Sequence, residues 1–339
     1  MSERRCPRCG TSFPEPARFC SRDGALLVEV RAPGAGGVGG GGGRAGALSG
    51  QLLDGRYEVQ RKLGEGGMSV VYLARDTAAG ETVAIKVLSP KLAADANSLA
   101  RLRREAGLAM RLDHPNVCPI LRLGEADGGL PYLVMPFLRG ELLSDREART
   151  GPMDFAAGIA ILRQVCAGLH HAHALHIIHR DLKPENVMLG PEAGAGERAV
   201  VMDFGLAKER RADPAIAKLT ATGVVLGTPE FMSPEQIRGK PLDARSDVYA
   251  LGIVAFEMFT GTLPFEGRSA QETMIARLRG RPRRLRELRP DAPPSLERAL
   301  ARALEPEPAA RYPTALAFAD ALGASPGGGL LARLKDKLP

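Results

Sequence analysis

The chain has 339 residues, 44% of them hydrophobic and 25% charged, with a formal net charge of +7. That composition is that of a soluble globular protein, and no stretch reaches the roughly eighteen apolar residues a membrane helix requires. The charged start, Met-Ser-Glu-Arg-Arg, lacks an apolar signal core, so the expected location is cytoplasmic.

The positive charge is local. Residues 277–289 hold seven arginines against one glutamate, a net +6, and the first fifty residues hold seven arginines against four acids, a net +3. The remainder is close to neutral, which argues against a nucleic-acid binder with a basic body. A solvated face is the plainer reading of the arginine run, and a docking site for acidic partners is the alternative.

In chain order, residues 1–30 form a compact cysteine-containing unit. Cys6-Pro7-Arg8-Cys9-Gly10 has the form of one half of a zinc knuckle, and Cys20-Ser21-Arg22-Asp23 has the spacing of the second half. Asp23 stands at the fourth ligand position, so the expected zinc set is Cys6, Cys9, Cys20 and Asp23, with a metal-free remnant as the alternative. The other cysteines, Cys118 and Cys166, lie in apolar runs and read as buried small hydrophobes. Residues 31–50 are mostly glycine and alanine and read as a flexible tether spanning about 25 Å.

A regular pattern runs from residue 51 to residue 322. Tyr57–Leu63, Val70–Asp76, Thr82–Leu88, Val117–Leu123 and Tyr132–Met135 read as strands, with one helix interposed over Asp95–Leu112. Beyond residue 139 the expected elements are helices at Asp154–Leu175, Ala244–Thr260, Gln271–Arg279, Ser295–Leu304 and Thr314–Leu322. The expected architecture is therefore α+β: a small β-rich lobe to about residue 138 and a larger helical lobe over 139–322. A Gly/Pro-rich tail, 323–339, follows and could form a short amphipathic helix.

The chemistry-bearing residues fall at the joint between the lobes. Leu63-Gly64-Glu65-Gly66-Gly67-Met68-Ser69-Val70-Val71 is a glycine-rich turn between two strands, able to bring backbone N–H groups close to phosphate oxygens. Val83-Ala84-Ile85-Lys86 puts a lysine in an apolar strand, where it needs an anionic partner. Glu105, on the inward face of the first helix, is the expected partner. His179-Arg180-Asp181-Leu182-Lys183-Pro184-Glu185-Asn186 precedes a short apolar run, and Asp203-Phe204-Gly205 follows it.

This ordered set resembles the Hanks-type (eukaryotic-like) serine/threonine protein kinases of the soluble bacterial branch, over about residues 57–322. The resemblance implies a two-lobed kinase fold that transfers phosphate from ATP to protein serine or threonine hydroxyls, in bacterial signalling. It implies that Lys86 holds the α- and β-phosphates and Glu105 orients it. Asn186 and Asp203 would hold magnesium, with manganese the substitute, and Asp181 would accept the hydroxyl proton beside Lys183. Nucleotide contacts would come from Leu63, Gly64, Glu65, Gly66, Gly67, Met68, Ser69, Val71, Ala84, Met135, Pro136 and Leu138. Lys183 together with Thr228 fits serine/threonine rather than tyrosine kinases. Thr220 and Thr222 would be autophosphorylation sites whose phosphate pairs with Arg180, with self-association a natural accompaniment. Glu235 would pair with Arg311, and Asp247 would brace the catalytic loop.

Four histidines, His170, His171, His173 and His176, fall on and just after a helix and read as non-metal residues, with His176 expected in a left-handed helix end. Three departures from the family pattern, Ser69, Pro136 and Ser233, remove no catalytic group. A non-catalytic scaffold is disfavoured because Lys86, Asp181, Asn186 and Asp203 are all present.

Overall fold

The computed structural model describes residues 48–66, 69–89, 96–126, 129–192, 196–204, 229–265, 267 and 270–323, together with three short N-terminal strands. The chain divides into two compact units, Met1–Arg44 and Ala45–Pro339. In the first, β1 (Glu3–Arg5) pairs antiparallel with β2 (Ser12–Pro14) on one side and β3 (Val28–Glu29) on the other. The expected zinc ligands Cys6, Cys9, Cys20 and Asp23 lie outside the described residues.

The second unit opens with β4 (Leu52–Leu53), β5 (Tyr57–Gly66), β6 (Ser69–Asp76) and β7 (Thr82–Leu88). With β8 (Arg122–Ala126) and β9 (Leu130–Pro136) they make a six-stranded antiparallel sheet in the order β4-β5-β6-β7-β9-β8. Alternation along β6 buries Val70, Tyr72 and Ala74 on one face, as a half-buried strand requires. These residues join Tyr57, Val59, Val83, Ile85, Val87, Tyr132 and Val134 in a core confined to this lobe.

Helix α1 (Ala96–Ala109) crosses between β7 and β8 and buries Leu102, Ala106 and Ala109. Beyond it the expected strand over Val117–Leu123 is corrected. Pro119 offers no N–H to a ladder, and Asn116 ties this segment to another partner, its Nδ2 donating to Ala199 O at 2.8 Å. Val117 forms only an isolated parallel bridge to Val201, and the true edge strand begins at Arg122.

The helical lobe is built on α3 (Phe155–Ala174), which follows the short α2 (Leu143–Thr150). Asp154 caps α3 by accepting from the backbone N–H groups of Ala156 and Ala157. Its stripe Ile161, Leu162, Val165, Leu169 and Ala172 packs into the larger core. Cys166 in that stripe and Cys118 are both buried free thiols. Helix α4 (Pro234–Ile237) precedes α5 (Ala244–Thr260), which is buried on nearly every side and ends at Gly261 in the left-handed region, φ 71°. Around α5 lie α6 (Ala270–Arg279), α7 (Leu285–Leu288), α8 (Pro294–Ala303) and α9 (Ala315–Ala321).

A small sheet, β10 (Glu141–Leu142), β11 (Val187–Glu192) and β12 (Gly196–Val201), falls within the helical lobe and leads into Asp203. Gly140 is required beside it: its φ is 148°, and a Cβ there would collide with the Leu189 carbonyl. Among the described residues no helix is long and apolar enough to cross a membrane.

Candidate active site

The His179–Asn186 segment is held rigid from below. Asp247, near the start of α5 and 1% exposed, accepts hydrogen bonds from the backbone N–H of His179 at 2.8 Å and of Arg180 at 2.9 Å. His173 Nε2 completes the set, 2.7 Å from Asp247 Oδ2. Burial pushes the Asp247 carboxyl up, but the His173 hydrogen bond and the nearby histidines outweigh it and hold it below the usual value. Glu235 makes a second anchor. Arg311 donates to both of its oxygens at 2.8 Å, and Ser246 Oγ donates at 2.6 Å. The Ser233–Gln236 capping box orients Gln236, whose Nε2 donates to Arg180 O at 2.7 Å.

These anchors support a strained loop. Arg180 and Asp203 have φ of 67° and 60°, conformations that non-glycine residues adopt at a cost of about 1–3 kcal/mol. His176, with φ 59°, also occupies the left-handed region expected for it. His171 accepts from Asp113 N at 3.3 Å and stacks on His114, ring centroids 5.3 Å apart.

Within the loop, Asn186 Nδ2 donates to Asp181 O at 2.7 Å, and Met202 N donates to Asn186 O at 2.8 Å. His179 is fully buried; its Nε2 lies 2.8 Å from Met202 O and its ring meets Phe204 edge-on at 4.7 Å. Asp181, Asn186 and Asp203 are thus linked by short hydrogen-bonded steps. Lys86 Nζ reaches Asp203 Oδ2 at 2.7 Å from the opposite lobe, with the lysine side chain 13% exposed.

The expected partnership of Lys86 with Glu105 is not the ion pair the structure holds. Lys86 takes the Asp203 carboxylate, and Glu105 Oε1 lies 3.9 Å from Arg180 Nη1. The reason is electrostatic: a half-buried ammonium in contact with one carboxylate is already compensated, and Arg180 offers Glu105 a second cation.

On the sheet side, Ala84 pairs with Met135, Val83 with Pro136, and Lys86 with Val71 across the ladder. Leu138 is half-buried just beyond β9. Leu63, Gly64 and Glu65 lie on β5, where Gly64 opposes Val71 and Gly66 opposes Ser69. Glu65 pairs with Lys62 on the surface. A Cβ on Gly64 would meet nothing within 4 Å among the described residues. Gly67, Met68, Gly205, Thr220, Thr222 and Thr228 lie outside the described residues.

A cavity of about 320 Å³ opens beside the loop, lined in part by Ser144, Glu147, Pro184, Glu185, Phe231 and Glu257. Burial, followed by the charges of Glu257 and Glu185, pushes Glu147 up to about 8. Burial and the charges of Glu185 and Glu230 push Glu257 up to about 7. Sequence reasoning misses this carboxylate group because its members come from separate elements. The contact between Arg180 and Glu105 escapes it for the same reason.

With this geometry in view, the profile described as "Protein kinase domain" matches residues 57–319. The serine/threonine-protein kinase pkn3 of Myxococcus xanthus is 40% identical over 271 residues, covering 79% of this chain and 50% of that protein. PrkC of Bacillus subtilis, also named a serine/threonine-protein kinase, is 38% identical over 79% of this chain and 40% of its own length. The chain therefore spans half or less of these curated relatives. The crystal structure of the PknI kinase domain of M. tuberculosis superposes with a TM-score of 0.64 at 30% identity, covering 81% of this chain and 98% of that one.

Proposed function

Because the chain belongs to the protein kinase domain family, we propose that it transfers the γ-phosphoryl group of ATP to serine and threonine hydroxyls of proteins. The observation that carries this reading is the 2.7 Å contact of Lys86 with Asp203 across the lobes, joined through Asn186 to the Asp181 backbone. One cation, two carboxylates and an amide there form the set that phosphoryl transfer uses.

The acceptor oxygen attacks the γ-phosphorus, the bond to the β,γ-bridging oxygen breaks, and its electron pair leaves with ADP. Asp181 aligns the acceptor hydroxyl and takes its proton. Lys183, two residues on, offers its ammonium to the phosphoryl oxygens, and Lys86 holds the α- and β-phosphates. Leu63, Gly64, Ser69, Val71, Ala84, Met135, Pro136 and Leu138 line the nucleotide face. Gly64 leaves room for a phosphate to approach the backbone, since a Cβ there would meet nothing within 4 Å among the described residues.

The donor set suits magnesium. Asp203 and Asn186 supply the hard oxygen ligands this ion prefers, and Asn186 spends its Nδ2 on Asp181 O while Oδ1 makes no hydrogen bond among the described residues. Magnesium, when bound, neutralises charge on the phosphates. Manganese meets the same donor set.

Glu105 orients Lys86 once Arg180 is taken by a phosphothreonine at Thr220 or Thr222, so loop phosphorylation and the Lys86–Glu105 pair belong to one active state. In the N-terminal unit, Cys6, Cys9, Cys20 and Asp23 bind zinc, a reading resting on their spacing alone; metal analysis of wild type against Cys9→Ser checks it.

The decisive measurement is phosphate transfer from ATP to a generic protein substrate by wild type and Asp181→Asn. The variant is expected to lose about 10²–10⁴-fold in kcat, and equal rates would remove the mechanism.

A further inference from the structure

The arginine run at 277–289 is not one surface but two interleaved sets. Three of its members are structural. Arg277 is 1% exposed and its Nη1 donates to Met232 O at 3.3 Å. Arg283 Nη2 donates to Leu263 O at 2.7 Å and to Thr262 Oγ1 at 2.8 Å. Arg289 donates to Phe259 O at 2.9 Å, pairs with Asp291 at 3.0 Å and lies 4.3 Å above the Phe155 ring.

The other four, Arg279, Arg281, Arg284 and Arg286, are exposed, and none has a carboxylate partner among the described residues. Nearby acids are spent on backbone amides: Glu287 accepts from Arg284 N at 3.3 Å and Glu297 from Arg286 N at 2.7 Å. Arg286 Nη2 donates to the Pro290 carbonyl at 3.4 Å.

Two exposed apolar side chains share these turns. Ile275 is 47% exposed and lies four residues before Arg279, on the same face of α6; Leu288 is 39% exposed, four residues after Arg284. A merely solvated face intersperses signs and keeps apolar groups apart. Unpaired arginines around isolated apolar side chains are what an interface carries before its partner arrives. The run holds no aromatic residue, so it lacks the stacking platform of a single-strand nucleic-acid site.

We propose that this face is a docking site for an acidic, leucine-rich segment of the protein substrates, distinct from the residues around the phosphorylated hydroxyl. Arg277 fastens the face to Met232, in the stretch that runs on through Gln236 to the Arg180 carbonyl. A substrate held there is tethered near Asp181, and its acceptor gains effective concentration without a new contact at the reacting centre. This consequence rests on the kinase reading; binding of the segment itself does not.

The test uses the full chain and a threonine acceptor peptide joined, through Gly/Ser linkers of graded length, to eight residues of alternating Asp and Leu. The control carries Asn for Asp. At its best linker length the acidic peptide is expected to show a KM at least tenfold lower with kcat unchanged, an advantage that fades in high salt. Replacing Arg279, Arg281, Arg284 and Arg286 together by Ser is expected to abolish the advantage while preserving turnover of the unextended peptide, which also reports folding. Without ATP, a fluorescent Asp/Leu segment is expected to bind wild type more tightly than the Asn/Leu segment. Equal binding of the two segments would overturn the proposal even if the chain is an active kinase, as would an advantage that survives the four substitutions. Tighter binding of a short DNA duplex than of the acidic segment would also overturn it, in favour of nucleic acid.

Discussion

At Asp247 one buried carboxylate holds the backbone of His179 and Arg180 and the ring of His173. Replacement by asparagine keeps the shape but loses the charge and one acceptor oxygen. Asp247→Asn is therefore expected to cost roughly 3–5 kcal/mol of stability in denaturant unfolding and to lower kcat through the Arg180–Asp181 backbone. Because the folded state holds this carboxyl below its ordinary value, its contribution is present above about pH 4 and is lost as pH falls through the folded value. The gap between wild type and variant should narrow in that acid window. The residue was legible in sequence as a helix-opening acid, and the family resemblance implied that it braces the catalytic loop; the His173 contact was not legible, because that ring arrives from a helix end 74 residues away.

The short helix α2 shows what an element contributes that its own pattern does not advertise. It buries Leu143 alone, so no apolar stripe announces it. Yet it carries Glu147 to Glu257 of α5 and Glu185 of the catalytic loop. A carboxyl raised to about 8 holds its proton in the folded state while the unfolded chain releases it near the ordinary value. Between those limits the folded state binds more protons, so stability falls as pH rises. Glu147→Gln removes this titration. Its Tm is expected to exceed that of wild type by a few degrees at pH 8.5 and to approach it near pH 5, as read by thermal denaturation at both values. The strand misread at Val117–Leu123 is the converse case: apolar residues at the right density, but with Pro119 and the Asn116 side chain diverting the backbone.

On the scale of the whole molecule, the described residues form three hydrophobic clusters, of which the largest draws on both lobes. The sheet core is closed on itself, while the larger core draws in Leu88, Leu102 and Leu133 from the small lobe. A ligand that joins the lobes through Lys86 and Asp203 should stabilise both together. At a hundred times its Kd, ATP analogue with magnesium is expected to add about 2.7 kcal/mol, a Tm rise of about 5–10 °C for a domain of this size. Lys86→Met, measured by the same thermal shift, should lose most of it. Glycine spacing, the lysine in its strand, the His179–Asn186 segment and Asp203 are local in sequence, and local chemistry makes them readable from the chain alone. The same holds for the long helices α3 and α5, whose periodicity is a one-dimensional signal. What the tertiary structure alone decided is partnership: that Lys86 takes Asp203 and Glu105 faces Arg180, and that one arginine run divides into buried struts and an open face. Charges choose partners by distance and desolvation, and neither quantity exists until the chain has folded.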